Sequence, residues 1–149
     1  MKPSYIELTL SIERLHRRFL DVVKSELDRL HIEDINNVQT LILYNIGTEQ
    51  ITIGELTNRG YYLGSNVSYN VKKLVDNDYL VQERASHDKR SVKIKLSAKG
   101  LDLCAKIDGF YHRHREQLGQ SSLNESKQKD LLANLEHLEQ FWTQQLPRI

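Results

Sequence analysis

Between Tyr79 and Leu96 the apolar residues stop recurring every three or four positions and begin to alternate. Val92, Ile94 and Leu96 are separated by Lys93 and Lys95, and the run Tyr79-Leu80-Val81-Gln82-Glu83-Arg84 precedes them. Strict alternation places one face of a strand in a core and the other in water, so these segments predict a half-buried antiparallel hairpin with strands at 79–84 and 91–96. The polar linker 85–90 is short and should project as a loop. On both sides the helical period holds, so the chain must be a helical fold that accommodates this one hairpin.

From Tyr5 to Leu30, Leu8, Ile12, Leu15, Phe19, Val22, Val23, Leu27 and Leu30 recur at steps of three and four and predict one long amphipathic helix. Asn36, with Gln39 three residues on, reads as a helix N-cap opening a second helix that Gly47 ends. Gln50-Ile51-Thr52 reads as a short extended piece. Thr52 and Glu55 form a T-x-x-E capping pattern before a brief helix, Ile53 to Arg59, which Gly60 stops. A fourth helix follows from about Ser65 to Asn77, with Val67, Val71, Leu74 and Val75 on one face. After the hairpin, Ser97 caps a fifth helix, and Asn124 or Ser122 starts a sixth. The fold class expected is mainly α with a small β-hairpin wing. A helix-turn-helix followed by a hairpin is a winged helix.

Within 149 residues one domain is expected, with the winged unit at 36–97 and helices for self-association at 4–31 and 98–146. No apolar run approaches the ~18 residues of a membrane span, and no signal-peptide pattern opens the chain, so a cytoplasmic protein without membrane contact is expected. The single cysteine, Cys104, excludes an intramolecular disulfide. Net charge is +1, but unevenly spread: residues 59–99 hold nine basic against four acidic side chains, a net of +5, which leaves −4 for the rest. A basic middle between acidic ends is the footprint of a phosphate-binding surface.

In a winged helix the second helix of the pair enters the major groove of double-stranded DNA, where short polar side chains permit close approach to base edges. Setting aside the apolar stripe leaves Ser65, Asn66, Ser68, Tyr69, Asn70, Lys72 and Lys73 for that face. Ser65, Ser68, Tyr69 and Lys72 fall three or four apart on one stripe, and Lys73 suits a phosphate. At the hairpin tip, Asp88, Lys89 and Arg90 add a second contact: a guanidinium on a loop enters the narrow, electronegative minor groove, and a nearby carboxylate orients its fork.

Taken as a set, Ile53-Gly54-Glu55-Leu56, Asn66-Val67-Ser68 opening a helix that reaches Leu74-Val75, and the thirteen residues from Asp88 to Gly100 resemble the MarR (multiple antibiotic resistance regulator) family. The last run resembles that family's wing pattern, D-x-R-S-x-x-(I/V)-x-L-(S/T)-x-x-G. The resemblance implies a homodimeric transcriptional regulator, usually a repressor, built through the first, fifth and sixth helices, with Arg90 as the wing-tip minor-groove residue. A two-fold dimer implies a pseudo-palindromic operator with half-sites about one DNA turn (~10 base pairs) apart. The chain departs from the family at Asp78, where glycine is common between recognition helix and strand; aspartate tolerates a left-handed backbone better than most residues.

The resemblance also implies a small-molecule effector bound between the dimer helices and the winged unit. Arg14, Arg17 and Arg18 with Tyr44, Tyr61 and Tyr62 offer a cationic, aromatic-lined setting. Arginines on the wet side of the first helix and tyrosines packed under the wing fit the same pattern. Cys104 lies near an apolar helix face and reads as a small buried hydrophobe rather than a redox sensor. The run His112-Arg113-His114-Arg115 puts its histidines two apart, poor geometry for one metal ion, so neither metal nor cofactor is expected. With no phosphate-binding glycine loop, G-x-S-x-G or H-E-x-x-H, an enzyme is not expected. The alternative from another class is a winged-helix protein-interaction or scaffolding module without specific DNA binding.

Overall fold

The computed structural model describes residues 2–59, 64–84 and 92–147, the side chains of Gly64, Ser65 and Arg84 excepted. Along the chain run α1 (Ser4–Arg29), α2 (Asn37–Ile46), β1 (Ile51–Thr52), α3 (Ile53–Asn58), α4 (Gly64–Asp76), β2 (Leu80–Arg84), β3 (Val92–Leu96), α5 (Ala98–Gly119) and α6 (Glu125–Gln145). The fold is mostly helical with one small antiparallel sheet, ordered β1-β3-β2. Internal packing divides the chain into two units, Met1–Ile107 and Asp108–Ile149.

In the first unit the helix starts follow the local chemistry of the sequence. Asn36 and Gln39 cap α2 reciprocally: Gln39 N donates to Asn36 Oδ1 at 2.8 Å, and Asn36 N donates to Gln39 Oε1 at 3.0 Å. Thr52 Oγ1 accepts from Glu55 N at 3.0 Å to open α3. Ser97 Oγ accepts from Gly100 N at 3.1 Å to open α5.

Two helices end in left-handed residues that are not glycine. At the end of α1, His31 has φ 58°, His31 N donates to Asp28 O and Ile32 N to Leu27 O. At the end of α4, Asp78 has φ 68°, Asp78 N donates to Val75 O and Tyr79 N to Leu74 O. Both are Schellman closures, which satisfy the last carbonyls of a helix and reverse the chain. The turn at Asp78 therefore forms without the glycine common in the resembling family, and His31, where the helical period breaks off after Leu30, is a second such turn.

The core of this unit gathers Ile42, Leu43 and Ile46 of α2, Leu56 of α3, Val67, Val71 and Leu74 of α4, and Ile94 of β3, all essentially inaccessible to water. Each such Leu or Ile contributes about 1.5–3 kcal/mol through burial. The hairpin pairs Leu80 with Leu96, Gln82 with Ile94 and Arg84 with Val92, and Ile51 of β1 sits opposite Ile94 on the other edge. Ile94 and Leu96 point inward while Lys93 and Lys95 face water, as the alternation requires.

In the second unit Asn124 caps α6, accepting from Lys127 N at 3.1 Å. The Phe110 ring lies 4.2 Å from that of His114, centroid to centroid. Helix α6 buries none of its residues, and Leu131, Leu132, Leu135 and Phe141 are exposed along it. Among the described residues, no helix is long and apolar enough to cross a membrane.

Candidate nucleic-acid interface

Helix α4 is held by α3, α2 and β2, and its exposed side is what the fold presents. At about 100° per residue, Val67, Val71 and Leu74 form the stripe that enters the core. On the opposite arc stand Asn66, Ser68, Tyr69, Lys72 and Lys73, all exposed, with Tyr69 at 61%. Lys73 Nζ lies 5.7 Å from the centroid of the Tyr69 ring, a cation over an aromatic face. Neither Lys72 nor Lys73 pairs with a carboxylate among the described residues. The helix carries no acid before Asp76, in its final turn. Ser65 lies in the first turn of α4, and its side chain is outside the described residues.

Asn70, expected on the same face, is not there. It is 8% exposed, and its Oδ1 accepts a hydrogen bond from Gln39 Nε2 of α2 at 3.1 Å. Asn70 sits at the seam between the apolar stripe and the polar arc, where a short amide reaches the neighbouring helix instead of solvent. By sequence pattern Asn70 is polar and therefore outward, and Gln39 is a capping residue; the bond between them depends on the approach of α2 to α4.

The base of the wing is fixed by close packing and by a polar cluster. A Cβ built on Gly100 would lie 2.4 Å from the Tyr79 carbonyl oxygen, so the glycine that ends the wing pattern lets α5 begin directly against the start of β2. Asp34, in the α1–α2 linker, accepts from the Tyr79 hydroxyl at 2.8 Å and from Lys99 Nζ at 2.9 Å. Lys99 Nζ also donates to Asn77 O at 3.0 Å and lies 4.3 Å from the Tyr79 ring centroid. Partial burial works to raise the Asp34 pKa, but the bonds from Lys99 and Tyr79 outweigh it and hold the carboxyl below its ordinary value. Burial and the facing Asp34 carboxylate push the Tyr79 phenol above its usual range.

This cluster changes the meaning of the basic middle. Lys99 is engaged by Asp34, Lys95 by Glu83 at 3.0 Å, and Arg59 by Glu49 at 2.7 Å and the Asn45 carbonyl at 2.9 Å. Lys95, and after it Gln50, holds the Glu83 carboxyl below its ordinary value. These three cations each pair with a carboxylate, which leaves Lys72, Lys73 and Lys93 as lysines of the stretch with no ion pair among the described residues. Asp88, Lys89 and Arg90 lie outside the described residues.

Of the residues expected to line a ligand pocket, Arg14, Arg17 and Arg18 are exposed on α1, and Arg17 pairs with Glu13 one turn away. Arg14 lines a cleft of about 470 Å³ with Lys2, Glu7, Leu10 and Ser11. Tyr44 is half-buried on α2, and Tyr61 and Tyr62 lie outside the described residues.

A short helix followed in the chain by a longer one packed against it, with a three-stranded sheet whose last two strands pair antiparallel, defines a winged helix-turn-helix protein. The family model described as "MarR family" matches residues 33–91. The exopolysaccharide II synthesis transcriptional activator ExpG of Rhizobium meliloti (strain 1021) is 37% identical over 139 residues, which span 93% of this chain and 72% of that protein. The chain belongs to the MarR family.

Among solved structures, a MarR/EmrR family transcriptional regulator from Acinetobacter sp. ADP1 superposes with a TM-score of 0.80 at 19% identity, covering 96% of this chain and 99% of that one. Streptococcus pneumoniae FabT, solved in complex with DNA, superposes with a TM-score of 0.76 at 17% identity, covering 95% and 99%. At these identities the likeness is one of fold.

Proposed function

We propose that this protein binds double-stranded DNA sequence-specifically as a homodimer and regulates transcription from the site it occupies in the cytoplasm. The observation that carries the reading is the outer arc of α4, where Asn66, Ser68, Tyr69, Lys72 and Lys73 are exposed and no carboxylate stands among them. Amides and hydroxyls bond base edges, the tyrosine ring offers apolar contact, and ammonium groups neutralise phosphates. Asp88, Lys89 and Arg90 at the hairpin tip and Ser65 at the start of α4 complete the proposed interface on the strength of the sequence resemblance.

Dimerisation is supported by apolar surface that the single chain leaves in water. Tyr5, Ile6, Leu8, Leu15 and Phe19 are exposed on α1, and α6 buries nothing, although a 21-residue helix of this kind needs tertiary packing to persist. Residues 4–31 and 98–146 are proposed as the dimerisation helices around a winged unit at 36–97.

The relative in Rhizobium meliloti is named an activator, whereas the sequence expectation was a repressor. One DNA-binding geometry serves both, because the sign depends on where the operator lies relative to the promoter. An effector that favours a dimer with the wrong spacing of recognition helices would release the operator. Arg14, Arg17, Arg18, Tyr44, Tyr61 and Tyr62 are its proposed contacts. A scaffolding module is not favoured, because it gives no reason for an acid-free polar arc on the second helix of the pair.

Selection from a random duplex library tests the proposal. Enrichment of a two-fold site with half-sites ~10 base pairs apart is expected. Recovery of no common sequence would overturn it.

A further inference from the structure

We propose that Gln39 and Asn70 are a positioning pair that sets the rotation of α4 about its own axis, and with it the base sequence that the helix reads. The inference rests on the DNA-reading role given above for the outer arc of α4. The apolar stripe of Val67, Val71 and Leu74 anchors the helix in the core, but such contacts are non-directional and tolerate small rotations. A hydrogen bond is directional and short-ranged.

The 3.1 Å bond from Gln39 Nε2 to Asn70 Oδ1 joins two side chains that are 6% and 8% exposed, so water does not compete freely for either. Asn70 marks the seam of the helix, with Val67 and Leu74 on its core side and Asn66 and Lys73 on its outer side. A restraint applied there acts directly on the outer arc. With side chains reaching about 5–6 Å from the axis, a rotation of roughly 20° moves their tips by about 2 Å, which is enough to lose a base-edge hydrogen bond.

Gln39 is itself immobilised. Its Oε1 accepts from Asn36 N at 3.0 Å and its backbone N donates to Asn36 Oδ1 at 2.8 Å, so its amide is locked into the first turn of α2. The neighbouring Asn37 Nδ2 donates to Leu20 O at 3.1 Å and ties that same turn to α1. The orientation of α4 is therefore referred, through one turn of α2, to the helix proposed for dimerisation.

The test compares binding to the selected operator duplex with binding to sheared genomic DNA for wild type, Asn70→Leu, Gln39→Leu, the double variant and Gln39→Glu. Thermal melts establish that each is folded. Glutamate at 39 keeps the cap of α2 and lets Asn70 turn over and donate Nδ2 to the carboxylate, so it should keep the specific-to-nonspecific ratio within about twofold of wild type. Each leucine variant should lower that ratio about tenfold, on the order of one base contact, with nonspecific affinity and its salt slope unchanged. The double variant should lose no more than either single one.

If leucine at 70 prevents folding, the contrast between Gln39→Leu and Gln39→Glu decides. Folded leucine variants with the wild-type ratio would overturn the pair's role while leaving DNA reading intact, as would independent, multiplying losses. A wild type with no operator preference would overturn the DNA reading itself.

Discussion

Replacing Gly100 with alanine should destabilise this protein, although glycine to alanine inside a helix ordinarily stabilises by about 1 kcal/mol. The new methyl carbon would stand 2.4 Å from the Tyr79 carbonyl oxygen and 3.2 and 3.3 Å from Leu96 Cγ and Cβ. Relief needs backbone to move by close to 1 Å, and the Tyr79 carbonyl is not free to move. It accepts from Ser97 N at 3.0 Å, while Tyr79 N is bonded to Leu74 O at 2.9 Å. Overpacking costs about 1–3 kcal/mol, and a strained or broken hydrogen bond about 1 kcal/mol more.

Set against the propensity gain, the net is about 1–3 kcal/mol of destabilisation, or a urea midpoint lower by roughly 1 M. Gly109→Ala is the control, because its methyl would meet only Arg113 Nη1, at 3.9 Å, and should stabilise by about 0.5–1 kcal/mol. Urea unfolding followed by far-ultraviolet circular dichroism, at one protomer concentration, reads both. A Gly100→Ala protein as stable as the parent would refute the account of how the wing is seated.

Asp78→Gly and His31→Gly should each raise stability by about 0.5–1 kcal/mol in the same assay, since both residues occupy left-handed backbone that glycine adopts without strain. A loss of stability would mean that these side chains do more than tolerate the turn. Because the Asp34 carboxyl is held below its ordinary value, its contribution is complete above about pH 4 and is lost as pH falls through the lowered folded value. Asp34→Asn should therefore be less stable than the parent at pH 7, with the difference shrinking towards pH 2. A difference independent of pH would contradict the Asp34–Lys99 link. Light scattering at micromolar concentration should give twice 17.4 kDa, and a monomer would remove the role assigned to the exposed apolar residues of α1 and α6.

Most of the fold was legible because its signals are local. The caps at Asn36, Thr52, Ser97 and Asn124 each declare themselves within three residues, and the change of period at 79–96 marks the hairpin. What the sequence did not show depends on partners far along the chain. Asn70 looks like any other polar residue of α4 until Gln39, 31 residues earlier, comes within hydrogen-bonding distance. Lys99 and Arg59 likewise count as surface charge until Asp34 and Glu49 are brought beside them. The wing motif marked Gly100 as part of a pattern, but only the approach of the Tyr79 carbonyl explains why no side chain fits. The break of period after Leu30 marks the end of α1, but not that His31 turns left-handed, which is set by the carbonyls it must close over.

The central claim is that the exposed ammonium groups of α4 meet DNA phosphates, and it is tested most directly by the salt dependence of binding to the selected duplex. A plot of log K against log salt concentration should be steep and linear for wild type, and Lys72→Ala and Lys73→Ala should each reduce the magnitude of the slope by about 1. A flat plot, or a slope that neither substitution changes, would contradict it.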